Sequence, residues 1–208
     1  MAVNVEELRA AVSTNAPPFD LRKIGHVVLK VSDLKRSVAF YTGVLGFKVS
    51  DIYGEDMMPG GMVFMRCNPD HHGVALIGGA QGASQNRELH HMAFEVGTLD
   101  EVFRARSHLR ASGATILFDG RRRAGVQMAV EFLDPDGHNL EIYWGLDQIG
   151  TEGIARSKSE WRGAKSLEEA LANPPPGQKP VLHDHSLLDQ ESSELLQTLD
   201  FIAGKPSA

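Results

Sequence analysis

The sequence ELHHMAFEVGTLD at residues 88–100 has nearly the same pattern as the earlier sequence IGHVVLKVSDL at residues 24–34. The two stretches align when His91 is placed over His26, which gives an offset of 65 residues, from 26 to 91. Each copy is an apolar run of strand length that follows a histidine, ends in a polar turn and leads into a segment with helical spacing. A supersecondary unit that recurs in this way predicts a fold built from repeated modules.

Turn residues divide the chain after each copy into a helix and three further strands. The order strand, helix, strand, strand, strand therefore occurs twice, in a first module at residues 24–80 and a second at residues 87–146. The sequence predicts an α+β fold in which two tandem βαβββ modules form a curved, incompletely closed mixed barrel. An N-terminal arm (residues 1–23) and a helical C-terminal tail (residues 147–208) complete one structural domain.

Both ends of the chain carry signals for short helices outside the two modules. Asn4 with Glu7, and Ser166 with Glu169, have the spacing of residues that cap the start of a helix. A second tail helix is expected over residues 187–202, with a stripe of leucines on one side. Such a stripe is usually a packing face, and it could cover the domain or contact a second subunit.

Composition and charge limit the classes of protein to consider. The chain has 208 residues, of which 42% are hydrophobic and 23% charged, as in soluble globular proteins. No apolar run approaches the roughly 20 residues of a membrane span, and the first residues lack the features of a secretion signal. Cys67 is the only cysteine, which rules out an internal disulfide and favours a reducing compartment. With a net charge of −6, we expect a cytoplasmic protein that binds neither nucleic acid nor membranes.

The alternation of side chains along the two repeated strands places two histidines on equivalent faces. Residues two apart in a strand share a face. In each copy the alternate apolar residues form the face that should pack on a helix, so His26 and His91 lie on the opposite, concave face. The same register turns His90 away from that face.

A carboxylate completes this set of concave-face residues. Glu141 lies in the last strand of the second module, and the 65-residue offset assigns Leu76 as its counterpart. Taken alone, a strand histidine is more often a hydrogen-bonded polar residue than a ligand, but His26, His91 and Glu141 together favour a metal site enclosed by the barrel. Two imidazoles and one carboxylate suit Fe(II), with Mn(II) as the alternative. Zinc accepts the same ligands, whereas calcium and magnesium prefer more oxygens.

Several motifs resemble those of the vicinal oxygen chelate superfamily, which contains glyoxalases, bleomycin resistance proteins and dioxygenases. They are GHVV at residues 25–28, AFYTGVLGF at 39–47, CNPDHH at 67–72, LHHMAFEV at 89–96 and PDGHNLE at 135–141. The motif at 39–47 marks the whole superfamily. The paired histidines are more specific, and they resemble those of type I extradiol ring-cleaving dioxygenases.

This resemblance implies an Fe(II) enzyme that uses O2 to cleave a catechol-type aromatic diol, and we expect a homo-oligomer. It implies His26, His91 and Glu141 as the metal ligands. His72 would be the acid/base beside the hydroxyls of the substrate, because an imidazole exchanges protons near neutral pH. Without the resemblance, His72 could equally be a surface histidine at the end of a strand.

Two positions depart from the pattern of the dioxygenases. Glu131 occupies a position where many of these enzymes carry a tyrosine, and Arg122 one where they carry a further active-site histidine. Arg122 could hold an anionic group of the substrate and Glu131 could act as a base, or both could be surface residues. These departures affect the expected substrate and leave the metal site unchanged.

Three other functions remain as alternatives. Glyoxalase I-like members use ligands at all four equivalent positions, so Leu76 argues against their chemistry. A fosfomycin-type transferase uses two histidines and a glutamate. A metal-free small-molecule binding protein, like the bleomycin-binding members, would lack ligand residues at the three positions.

Overall fold

In the computed structural model, two stretches of the chain each fold into a four-stranded mixed sheet. The structure describes residues 3–13, 18–19, 21–150 and 153–188. A short exposed helix, α1 (Val5–Ala10), precedes the first sheet, and the side chain of Asn4 caps it as predicted. Within the described ranges, none of the helices has the length and apolar character needed to cross a bilayer.

The first module has the order strand, helix, strand, strand, strand. Asp33 caps the helix by accepting a hydrogen bond from the backbone N–H of Arg36 at 2.9 Å. Gly46, just beyond the helix, has a φ of 74°, a conformation that glycine adopts without strain. The elements are β1 (Val27–Lys30), α2 (Leu34–Gly43), β2 (Lys48–Tyr53), β3 (Met62–Arg66) and β4 (Val74–Ile77).

The second module repeats this order. Thr98 and Glu101 form a reciprocal capping box at the start of its helix. The elements are β5 (Met92–Glu95), α3 (Leu99–Ala111), β6 (Ile116–Arg121), β7 (Met128–Leu133) and β8 (Asn139–Trp144).

The strand order is the same in the two sheets. It is β1-β4-β3-β2 in the first and β5-β8-β7-β6 in the second, so the first and last strands of each module are neighbours. Those two strands run parallel, and the other pairs are antiparallel. The sheets do not close into a complete barrel, and the predicted α+β fold with incompletely closed mixed sheets is confirmed.

The strand register corrects one assignment made from the repeat. Glu141 lies opposite Ala93 in the second sheet, and Val28, the counterpart of Ala93, lies opposite Ala75. Leu76 instead belongs to the hydrophobic core. The offset was wrong here because the first module is one residue shorter, with 47 residues from Val28 to Ala75 against 48 from Ala93 to Glu141. The fourth equivalent position is therefore Ala75, which still has no metal-binding group.

One hydrophobic core connects the two modules. It includes Tyr41 from α2 and Phe132 from β7, both fully buried. Phe47 of the first module packs edge to face on Phe94 of the second, with 5.5 Å between the ring centroids. Each buried side chain of this size contributes about 1.5–3 kcal/mol to stability. The two modules therefore stabilise each other through this shared core.

A buried carboxylate also joins the modules. Asp136, in the turn between β7 and β8, is 1% exposed. It accepts hydrogen bonds at 2.7 and 2.6 Å from the backbone N–H and the hydroxyl of Ser32, and at 2.7 Å from the hydroxyl of Ser37. Burial opposes its ionisation, but these donors and the guanidinium of Arg36 outweigh that effect and lower the pKa of Asp136. Asp136 therefore remains a charged acceptor for the start of α2.

The described part of the tail is held on the second module by buried arginines. Arg106 of α3 donates to Glu168 at 2.7 Å. Arg121 of β6 donates to the backbone carbonyl of Asn173 at 2.8 Å. Both contacts fix α4 (Leu167–Ala172), which Ser166 caps as predicted. The second predicted tail helix, residues 187–202, lies almost entirely outside the described residues.

Candidate functional site

The structure brings together two of the three predicted metal ligands. His91 immediately precedes β5, and Glu141 lies in β8 opposite Ala93. His91 Nε2 is 3.4 Å from Glu141 Oε2. The histidine side chain is 42% exposed, whereas that of Glu141 is only 4% exposed. The carboxylate is therefore buried and the imidazole is partly exposed, and we call these two residues the His91–Glu141 pair.

Glu141 is a buried carboxylate with few direct partners. Its Oε1 accepts a hydrogen bond of 3.4 Å from Gln127 Nε2, which is long for such a bond. Burial is the main cause of the raised pKa of Glu141, and the negative charge of Glu131 adds to it. The amide of Gln127 and the charges of His91 and Arg122 act in the opposite direction. A buried carboxylate in this state is one that a bound cation would stabilise.

His26, the third predicted ligand, is not grouped with this pair in an arrangement that could hold a metal ion. It is exposed immediately before β1, and its ring packs on His72 with 4.6 Å between centroids. Across the described ranges, no group of three or more His, Cys, Asp or Glu side chains is arranged to hold a metal ion. The ligand set of His26, His91 and Glu141 therefore stays a prediction, of which the structure assembles two members.

His72, the predicted acid/base, lies in a cluster of rings. Phe64 packs edge to face against it, with 5.1 Å between centroids. His71 Nδ1 lies 3.0 Å from His72 Nδ1. Partial burial lowers the pKa of His72, and the neighbouring His26 and His71 lower it further. This environment favours the neutral imidazole, which is the form that accepts a proton.

Arg122 and Glu131 lie beside Glu141 on the same sheet. Glu131 is directly opposite Glu141 in the pairing of β7 with β8, so the two carboxylates share a face. Arg122 binds Glu131 through two hydrogen bonds of 2.8 Å, from Nε and Nη2. The Arg122 guanidinium also lies 3.8 Å above the ring of Phe118. The structure thus places both departures from the dioxygenase pattern next to the His91–Glu141 pair.

Two residues near Glu141 were not identified as site residues by the sequence analysis. Gln127 is its hydrogen-bond donor, and Tyr143 follows it by two residues and so shares its face of β8. Burial raises the pKa of Tyr143, as do the charges of Glu95 and Glu141. Counting by two along β8 from Glu141 would have found the tyrosine.

A cleft of about 890 Å³ lies between β1 and the connector at residues 80–89. Val28 and Lys30 of β1 line it, together with Leu89 of the connector. None of the predicted metal or acid/base residues lines this cleft. Two of its lining residues are nonetheless close in sequence to the predicted histidine ligands. Val28 follows His26 by two residues, and Leu89 precedes His91 by two.

Comparison with known proteins gives relatives that are named as dioxygenases and as lactoylglutathione lyases. A biphenyl-2,3-diol 1,2-dioxygenase of Pseudomonas sp. (strain KKS102) is 38% identical over 151 residues, which cover 71% of this chain and 48% of that protein. A biphenyl-2,3-diol 1,2-dioxygenase of Paraburkholderia xenovorans (strain LB400) is 30% identical over 155 residues, covering 72% of this chain and 50% of the relative. The chain thus spans about half the length of these curated relatives.

A solved structure and a family model agree with the architecture. A glyoxylase/bleomycin resistance protein/dioxygenase domain from Frankia sp. EAN1pec superposes with a TM-score of 0.53 at 22% identity, covering 61% of this chain and 99% of that domain. At this identity the match concerns the fold alone. The model of the glyoxalase/bleomycin resistance protein/dioxygenase superfamily matches residues 23–142, more than half of the chain. The chain belongs to the glyoxalase/bleomycin resistance protein/dioxygenase superfamily.

Proposed function

We propose that the protein is an extradiol dioxygenase, which opens the ring of a catechol-type aromatic diol with O2 in an Fe(II)-dependent reaction. The observation that carries the proposal is the His91–Glu141 pair, with 3.4 Å between Nε2 and Oε2. Relatives named as biphenyl-2,3-diol dioxygenases support the class of substrate. A 3-methylcatechol 2,3-dioxygenase of Pseudomonas putida, 29% identical over 129 residues, supports it as well.

The residues present fit a divalent metal in two respects. Glu141 is a buried carboxylate with a single long hydrogen bond from Gln127, and His91 offers a nitrogen beside it. In the proposal His91 and Glu141 hold Fe(II), or Mn(II) as the alternative, and His26 joins them as the third ligand. When bound, the metal supplies a site that holds the two hydroxyls of the diol and O2 together and lets electron density pass between them.

His72 has the proton-transfer role in this proposal. A diol must lose a proton to bind as an anion, and cleavage of the O–O bond later requires a proton. The lowered pKa of His72 keeps its imidazole neutral near pH 7, so that it is ready to accept the first proton. Once protonated, the same imidazole can return that proton to the departing oxygen. Phe64 packs on the ring of His72 and limits its movement.

Changing His72 to alanine is expected to lower kcat by about 10²- to 10⁴-fold, the usual contribution of a general acid/base. The bound metal should remain, because His72 is not among the proposed ligands. Steady-state oxygen uptake and metal analysis of the same preparation measure both effects. The matched control is His71→Ala, which removes the exposed neighbouring imidazole and should leave kcat within a few-fold. Loss of metal from His72→Ala would instead assign His72 to the metal site.

The overall proposal is tested by anaerobic purification, metal analysis and oxygen uptake with a panel of catechols. A yellow ring-fission product together with bound iron is the expected result. Bound metal without any oxygen uptake would exclude the dioxygenase activity and favour another reaction of the superfamily.

A metal-free small-molecule binding protein is the second candidate function. This alternative is favoured because the described residues contain no group of three or more His, Cys, Asp or Glu side chains arranged to hold a metal ion. Metal analysis discriminates between the two functions. A protein that takes up neither iron nor manganese from an anaerobic solution would be a binding protein.

A further inference from the structure

The guanidinium of Arg122 is held in place and yet incompletely used. Of the five N–H donors of an arginine, two bind Glu131, from Nε and Nη2. None of the contacts described for Arg122 involves Nη1, and 57% of the side chain is exposed. The Nη1/Nη2 edge therefore remains available for a second planar acceptor.

Two neighbours fix the orientation of that edge. Glu131 binds the adjacent Nε/Nη2 edge through two hydrogen bonds, which restricts rotation within the plane of the guanidinium. Phe118 supports the plane from below, at 3.8 Å from the Cζ of Arg122 to the ring centroid. An arginine held in this way loses less side-chain entropy when it binds a ligand than a mobile one does.

The Nη1/Nη2 edge lies near the His91–Glu141 pair, because Glu131 connects the two. Glu131 and Glu141 are directly opposite in adjacent strands, about 5 Å apart. Arg122 binds the carboxylate of Glu131 and therefore lies beside the cross-strand neighbour of Glu141. In the proposed function the diol binds at Glu141, so the guanidinium lies beside the neighbour of that site and can meet a substituent of the ring.

We propose that Arg122, held by Glu131 and Phe118, selects diols that carry a carboxylate substituent. This inference rests on the proposed diol cleavage and narrows it to anionic aromatic diols. A carboxylate matches the free Nη1/Nη2 edge as a second bidentate partner, whereas an uncharged substituent does not. Arginine serves this purpose better than lysine, because the ammonium of lysine lacks the planar pair of donors.

The test compares the binding of 3,4-dihydroxybenzoate with that of its methyl ester, which has the same diol and no charge. Calorimetry on the metal-loaded protein without O2 gives both dissociation constants. The wild-type protein should bind the acid at least about tenfold more tightly than the ester, as expected of a charge-assisted hydrogen-bonded pair. Arg122→Gln should bring this ratio close to one, and Arg122→Lys should retain part of it.

A neighbouring arginine provides the matched control. Arg123 is also exposed and follows Arg122 directly, so Arg123→Gln removes the same charge from the same segment and should preserve the ratio. Glu131→Gln should lower the ratio without removing the arginine, because Arg122 would then lose its orienting partner. An equal ratio in the wild-type protein and in Arg122→Gln would overturn the proposal and leave an ordinary surface ion pair. Binding of neither compound would reject the proposed diol chemistry itself.

Discussion

Replacing Glu141 with glutamine is expected to abolish metal binding and, with it, oxygen uptake. The change removes the negative charge from the buried side of the His91–Glu141 pair while preserving the shape of the side chain. Changing a residue that only supports a metal ligand lowers metal affinity by about 10- to 100-fold. Changing a ligand itself should therefore lower the metal affinity by more than about 100-fold. Titration of the anaerobic apoprotein with Fe(II), followed by metal analysis, measures this loss.

The design of this experiment separates loss of metal from loss of structure. Glutamine carries no charge to desolvate, so the metal-free Glu141→Gln protein should be at least as stable as the wild type. The control is Glu95→Gln, which alters an exposed carboxylate of β5 and should keep the metal. His91→Ala and His26→Ala complete the series. Retention of full metal affinity in Glu141→Gln would refute the proposed centre, and retention in His26→Ala alone would remove only His26 from the ligand set.

Replacing Asp136 with alanine is expected to destabilise the fold by about 3–5 kcal/mol, the typical cost of removing one partner of a buried charged network. The change deprives the backbone N–H and hydroxyl of Ser32 and the buried hydroxyl of Ser37 of their acceptor. The contact between the start of α2 and the second module would be lost. Equilibrium unfolding in urea, for the wild type and for the variant, measures the difference.

The effect of Asp136 should also depend on pH in a defined direction. Its pKa is lowered in the folded state, so it adds stability above the ordinary carboxyl pKa of about 3.9. That contribution disappears as the pH falls through the lowered folded value. The stability difference between wild type and Asp136→Ala should therefore be large at pH 7 and shrink in acid. The control is Asp51→Asn, at an exposed carboxylate of β2, which should change neither the stability nor its dependence on pH. If the stability difference for Asp136→Ala stayed the same at low pH, Asp136 would not be the charged acceptor described above.

Much of the fold could be predicted because the same local signals occur twice. The capping residues Asn4 and Ser166 start helices where the sequence indicates them. Alternation also identified the buried face of β1, where Leu29 is in the core. Local patterns suffice for such elements, since caps and strand faces depend on residues that are close in sequence.

The errors and omissions concern contacts between distant segments. Leu76 was assigned as the counterpart of Glu141 because one offset was applied to the whole module, and a difference of one residue in the connections reverses the face of a strand. The role of Asp136 as acceptor for Ser32 depends on how the modules pack. The burial of Arg106 against Glu168 likewise depends on the tail, and isolated charged residues give no local signal of burial.

The candidate site was only partly accessible from the sequence for the same reason. The repeat identified His91 and Glu141 as residues of one face, and the parallel pairing of β5 with β8 brings them to 3.4 Å. Whether His26 joins this pair depends on the relative placement of two sheets, which no periodicity within one strand specifies. The ion pair of Arg122 with Glu131 follows from the register of β6 with β7, which includes an irregularity between Ile116 and Phe118.

The parallel pairing of the first and last strands of each module imposes a delay during synthesis. From Ala93 to Glu141 the ribosome must add 48 residues. At a rate of about 5–20 residues per second, this takes roughly 2–10 s. For that time β5 has emerged without the strand beside which it will lie, and His91 has no carboxylate next to it. The newly made second module can therefore form the His91–Glu141 pair only after its last strand has been synthesised.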